Sequence, residues 1–100
     1  MNYHGIDIPE DSLIEFCRRH HIRSLSIFGS VLRDDFGPDS DIDVLVEFEP
    51  DKTPGYAFLA MERELSALLE RKVDLNTLAC LSKYFRDEAL AGAEVIYDAA

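Results

Sequence analysis

Basic residues are scarce in this chain: ten Lys and Arg stand against twenty Asp and Glu, a formal charge of −10 with histidine neutral. A surface of that sign repels phosphate backbones and anionic lipids. Direct nucleic-acid binding by a general basic face is therefore excluded, and a membrane-surface role is disfavoured. Cysteine is scarce too. Cys17 and Cys80 are too few for the disulfide framework of a small secreted domain, and with no CxxC spacing and no Cys/His cluster they offer no structural zinc site. They are expected as reduced thiols packed like small hydrophobes. No apolar run approaches the roughly 18 residues that span a bilayer. The polar, acidic opening MNYHGIDIPEDS lacks the basic and apolar stretches of a secretion signal. There is no internal repeat and no low-complexity stretch. What is left is a chain of 100 residues, 47% apolar and 30% charged, which reads as one globular domain over residues 1–100, expected in the cytoplasm. A domain this small gains stability from a partner chain.

The pattern of apolar residues predicts alternating helices and strands. Ser12 and Glu15 have the spacing of a capping box, and Leu13, Phe16, Cys17 and His20 share one helical stripe, so a first helix is expected from residue 9 or 12 to His20. Pro9 as a first-turn residue is the alternative start. A β-prone run, Leu25 to Phe28, stops at Gly29-Ser30. A turn of helix over 31–34 and a loop over 36–40 follow. Residues 41–49 alternate: Ile42, Val44, Val46 and Phe48 against Asp41, Asp43, Leu45, Glu47 and Glu49, a strand with one buried face. A second helix is expected over 56–70, with Phe58, Met61, Leu65, Leu68 and Leu69 toward the core, then a short strand over 72–76. A third helix over 82–90, ended by Gly92, precedes a last strand over 94–97. The four tyrosines read as packing residues and the three histidines as surface or helix-end residues. Such alternation predicts an α/β (α+β) domain, one sheet covered by helices.

The carboxylates give the chemistry its first foothold. Residues i and i+2 of a strand share a face with Cα atoms about 6.6–7 Å apart. Asp41 and Asp43 can therefore lean together, at a repulsive cost that a cation removes. Mg²⁺ suits such a pair, because it is a hard ion that prefers carboxylate oxygens and keeps positions for water and phosphates. The segment from 34 to 51 holds eight acidic residues and no basic one, so the pair also reads simply as a solvated strand end. Upstream, a strand running into Gly29-Ser30 makes a phosphate cradle: Gly lets the backbone come close, Ser adds a hydroxyl, and a helical turn opens with unpaired N–H groups. It reads equally as an ordinary turn. Asp74 points away from Val73 and Leu75, and joins Asp41 and Asp43 only if its strand neighbours theirs. Three converging carboxylates can hold two divalent ions.

Taken together, Gly29-Ser30-Val31-Leu32-Arg33 and Ser40-Asp41-Ile42-Asp43-Val44-Leu45-Val46 resemble the GSxxR…SDxDxxV signature of the DNA polymerase β-like nucleotidyltransferase superfamily. The small size resembles its minimal nucleotidyltransferase branch, partners of HEPN-domain proteins in toxin–antitoxin modules. The Leu25–Phe28 lead-in, Val73-Asp74-Leu75 and the ending Arg86-Asp87-Glu88-Ala89…Ile96-Tyr97 extend the likeness over nearly the whole chain. The resemblance implies a minimal nucleotidyltransferase fold, a short mixed β-sheet backed by helices on one side. It implies that Asp41 and Asp43 ligate Mg²⁺, that Asp74 is the third, activating carboxylate, and that two ions are bound. Gly29 and Ser30 would hold the β- and γ-phosphates of ATP, Ser40 would orient the loop before the ligands, and Arg33 matches a family position that a salt bridge in the acidic segment would explain as well. Leu32 and Asp34 depart from the commoner GSxARG form, with Gly37 available to relieve the turn. The implied activity is AMP transfer from ATP to a tyrosine of a HEPN toxin within a hetero-oligomer, silencing the toxin. Two alternatives stand beside it: a non-catalytic antitoxin that neutralises by binding, and a nucleotidyltransferase subunit acting on a small molecule such as an aminoglycoside.

Overall fold

The computed structural model describes residues 2–3, 6–28, 41–77, 79, 87 and 91–99. Within them lie strands β1 (Asn2–Tyr3), β2 (Ile6–Asp7), β3 (Ile22–Phe28), β4 (Ile42–Phe48), β5 (Val73–Asn76) and β6 (Glu94–Asp98). Helices α1 (Glu10–Arg19) and α2 (Ala57–Leu69) complete the elements. Asp87, Ala91 and Gly92 are helical, and the rest of the expected third helix lies outside the described residues. So do the expected turn and loop between β3 and β4. No helix among the described residues is long and apolar enough to cross a membrane.

Pro9, not Ser12, starts the first helix. Its extended backbone makes it the N-cap, and its carbonyl accepts the Leu13 N–H at 2.9 Å, so Ser12 and Glu15 fall inside the helix and form no capping box. Glu10 and Asp11 in the first turn and Arg18 and Arg19 in the last match the helix dipole. Leu13, Phe16 and Cys17 are buried as the stripe predicts. Burial pushes the Cys17 thiol up to about 12, which leaves it a protonated, inert packing group. The second helix buries Met61, Leu65 and Leu69, with Phe58 and Leu68 packed at the margin. Tyr56, expected to pack, is 99% exposed, because it sits one residue before the helix and outside its apolar stripe.

The main sheet has the order β5-β4-β3-β6. β3 runs antiparallel to both β4 and β6, while β4 and β5 are parallel and joined through α2. Both helices cover one face. There Ile42, Val44 and Val46 meet Leu25, Ile27, Phe16 and Leu65, all at most 1% exposed. Each such side chain contributes roughly 1.5–3 kcal/mol through burial. The expected short mixed sheet backed by helices on one side is what the structure shows.

The opposite face is less open than its polar alternation predicts. Leu45 and Phe28 are buried there in a second small cluster, with Ala93 packed against it. The strand at 42–48 is therefore apolar on both faces at its middle, a pattern that alternation alone hides. Two further features differ from expectation. β3 begins three residues earlier than expected, at Ile22, after His21 turns the chain with φ 56°. The β1–β2 ladder, too short to show a period, delivers buried Ile6 just ahead of buried Ile8.

Candidate active site

Strand register decides which acids meet. The first residues of β4 and β5 pair as Ile42 with Val73 and Asp43 with Asp74. Neighbouring strands lie about 4.8 Å apart, so Asp43 and Asp74 stand side by side on the face opposite the helices. Asp43 also pairs with Phe28, the last residue of β3. The sheet thus brings the start of β4, the start of β5 and the end of β3 to one edge. In the sequence, Gly29-Ser30 follows directly on Phe28.

Asp41 lies just ahead of β4, two residues before Asp43. It is exposed, as is Asp74, whereas Asp43 is half-buried. Lys72 Nζ lies 3.7 Å from Asp41 Oδ2, and the Lys72 carbonyl accepts the Ile42 N–H at 2.9 Å. That lysine was not anticipated. Its signal was available in the sequence, because a parallel pairing of the two acid-bearing strands sets the residue before Val73 beside the residue before Ile42. The ion pair is largely solvated and contributes at most about 1 kcal/mol. Asn76, on the same face of β5 as Asp74, donates through Nδ2 to the Asp74 carbonyl at 3.0 Å.

Among the described residues, no three His, Cys, Asp or Glu side chains approach closely enough to form a ready-made metal cage. Asp41, Asp43 and Asp74 share one end of the sheet without being drawn into a single ligand set, consistent with mutual repulsion. The remaining sequence candidates, Gly29, Ser30, Arg33 and Ser40, lie outside the described residues. The donor chemistry at this edge is carboxylate oxygen, which suits a hard divalent cation such as Mg²⁺. An exposed edge also leaves room for phosphate oxygens.

Sequence reasoning missed two side chains behind this edge. The Val73 N–H donates to Ser66 Oγ at 3.0 Å, and the Leu75 N–H donates to Glu62 Oε2 at 2.9 Å. Both acceptors lie on α2, so the helix fastens the strand that carries Asp74.

Known proteins place this geometry in context. A protein of Thermococcus cleftensis named protein adenylyltransferase MntA is 36% identical over 84 residues, covering 83% of this chain and 81% of that one. The solved structure of a candidate minimal nucleotidyltransferase superposes with a TM-score of 0.68 at 31% identity, over 85% of this chain and 86% of that one. A toxin–antitoxin crystal structure with AMP-PNP shares the fold, with a TM-score of 0.72 at 22% identity, over 91% and 74% of the two chains. So does a complex of a tri-AMPylated Shewanella oneidensis HEPN toxin with its MNT antitoxin, at 0.64 and 21%, over 89% and 69%. The family of nucleotidyltransferase domains described as polymerase beta matches residues 11–100. With the fold and this match in agreement, the chain belongs to the polymerase beta nucleotidyltransferase family.

Proposed function

We propose that this chain is an enzyme that transfers AMP from ATP to a protein acceptor, a tyrosine of a HEPN-type toxin, and thereby serves as that toxin's antitoxin. The observation that carries the reading is the β4–β5 register, which sets Asp43 against Asp74 at the edge where β3 ends. Support comes from the relative named protein adenylyltransferase MntA, similar over four-fifths of both chains. The shared fold of an antitoxin seen with an AMPylated HEPN toxin adds to it. The reading includes a cytoplasmic protein working as one domain over residues 1–100, in a hetero-oligomer with its toxin.

In this reading Asp41, Asp43 and Asp74 would hold Mg²⁺, two ions in all. When bound, Mg²⁺ neutralises the charge of the triphosphate and of the departing pyrophosphate. Gly29 and Ser30 cradle the β- and γ-phosphates, Ser40 orients the loop ahead of Asp41, and Arg33 pairs with phosphate. The acceptor's phenolic oxygen forms a bond to the α-phosphorus as the bond from that phosphorus to pyrophosphate breaks. The phenolic proton passes to the Asp74 carboxylate. Lys72 offsets part of the acid crowding beside Asp41.

Intact-mass spectrometry of a HEPN-type toxin co-expressed with this protein tests the reading. AMP adducts are expected with the wild type and none with Asp43→Asn. A toxin that stays unmodified in both cases, yet is neutralised in a tight complex, would establish steric inhibition instead.

A further inference from the structure

We propose that Glu62 and Ser66 are positioning residues for Asp74, gripping the outer edge of β5 so that the acid stays opposite Asp43; the proposal rests on the nucleotidyltransferase reading above. β5 is the terminal strand of its sheet and only four residues long. A strand so placed has one row of backbone donors without a neighbouring strand, and short edge strands fray or slip in register. A slip of one residue would carry Asp74 to the opposite face.

Alternate residues of a strand address opposite neighbours. The Lys72 carbonyl faces β4, where it accepts the Ile42 N–H, so Val73 and Leu75 present their N–H groups outward. Ser66 Oγ and Glu62 Oε2 receive them. The spacings match: positions i and i+4 of a helix are about 6.0 Å apart along its axis, and positions i and i+2 of a strand about 6.6 Å. Because α2 runs against β5, Glu62 meets Leu75 and Ser66 meets Val73. Ser66 Oγ donates its own proton to the Glu62 carbonyl at 2.8 Å, which fixes the hydroxyl with a lone pair toward Val73. The second acceptor is a carboxylate, and bonds to a charged acceptor are the stronger kind. Both side chains are half-buried, which protects these bonds from competing water.

The consequence falls on the residue between. Val73 and Leu75 bury their side chains in the core, 2% and 4% exposed, and give their N–H groups to α2. Asp74 alone of the three turns its side chain to the site. Its backbone is held from β4 on one side and from α2 on the other. Fixing a proton acceptor this way matters because a misplacement of about 1 Å can cost about a hundredfold in rate.

Transfer of AMP from ATP to a co-expressed HEPN-type toxin, read as kcat and KM for ATP, tests the role alongside amide hydrogen exchange of the antitoxin itself. Glu62→Ala is expected to lower kcat by about tenfold to a hundredfold with little change in KM, and to speed exchange of the Leu75 amide by about tenfold. Glu62→Gln, which keeps an oxygen acceptor, should restore both. Ser66→Ala should act the same way through the Val73 amide. In an Asp74→Asn background, Glu62→Ala should add no further loss of rate, since the two act as one unit. Rates that fall additively, a rise in KM without loss of kcat, or faster Leu75 exchange with unchanged kcat would each overturn the positioning role. A wild-type protein that transfers no AMP would overturn the functional reading, and the positioning role with it, whatever the exchange data show.

Discussion

Two groups of carboxylates in this molecule meet their charges in opposite ways. Where α1 ends against α2, Glu64 pairs with both Arg19 and His20, the latter at 3.0 Å, and the His20 ring sits tilted against Phe16 with ring centres 4.8 Å apart. Partial burial pushes the Glu64 carboxyl up, but the hydrogen bonds from His20 and Arg19 and their charges outweigh it, so the group sits below its ordinary value. At the start of β4 and β5, Asp43 stands beside Asp74 in the strand register, and Lys72 reaches Asp41 alone. The first arrangement uses an arginine and a histidine of the chain itself to hold two helices together. In the second, acid outnumbers base among the described residues, which favours a cation or a cation-escorted nucleotide from outside. In an acidic protein with only ten basic residues, where those residues are placed separates structural acids from reactive ones.

The largest effects are expected from removing a carboxylate at the strand ends. Asp41→Asn or Asp43→Asn should lower AMP transfer by orders of magnitude, while the thermal midpoint stays level or rises because crowding is relieved. Asp74→Asn should cost roughly 10²–10⁴ in rate and leave nucleotide affinity largely intact, as expected for a lost general base. Single-turnover transfer and nucleotide titration separate the two cases. A thermal midpoint that falls in any of these variants would make the acid concerned a structural group, as Glu64 is.

A smaller effect is expected at Glu64. Glu64→Gln should leave transfer unchanged and cost under about 1 kcal/mol in denaturant unfolding, since the pairing is partly solvent-exposed. Because the folded carboxyl titrates below its ordinary value of 4.5, its contribution is present above that pH and is lost as the pH falls through the folded value. The wild type and Glu64→Gln should therefore converge in stability in acid. Glu70 tests the smallest effect. It occupies the left-handed position that closes α2, with φ 54° and bonds from the Glu70 and Arg71 N–H groups to the Ala67 and Ser66 carbonyls, where glycine is the natural residue. Glu70→Gly should raise stability by about 0.5–1 kcal/mol through relief of backbone strain. A loss of stability would show that its carboxylate has a role of its own.

Much of the site could be read before the structure because strand alternation is a local signal. Asp41 and Asp43 fall on one side of Ile42 and Val44, and Asp74 stands out between Val73 and Leu75, whatever the rest of the chain does. Whether the two strands are neighbours is not local. That Asp43 faces Asp74 depends on the α2 crossover and its register, and so do the Lys72 contact with Asp41 and the grip of Glu62 and Ser66 on β5. Each of these joins residues 7 to 31 positions apart, beyond any periodicity. Burial on the second face was hidden for the same reason: Leu45 meets Phe28 only after β3 and β4 pair. The short β1–β2 ladder shows the opposite limit, an element fixed by too few residues to register as a pattern.

The most direct test of the central claim is growth rescue, with the toxin's mass read from the same cells. A HEPN-type toxin is expressed with the wild-type protein or with Asp74→Asn at equal levels, and complex formation is verified for both. The expected result is rescue and AMP-modified toxin with the wild type alone, since one Asp→Asn exchange hardly alters the shape of the docking partner. Equal rescue by both proteins, with unmodified toxin in each, would contradict enzymatic neutralisation and make the chain an antitoxin that acts by binding.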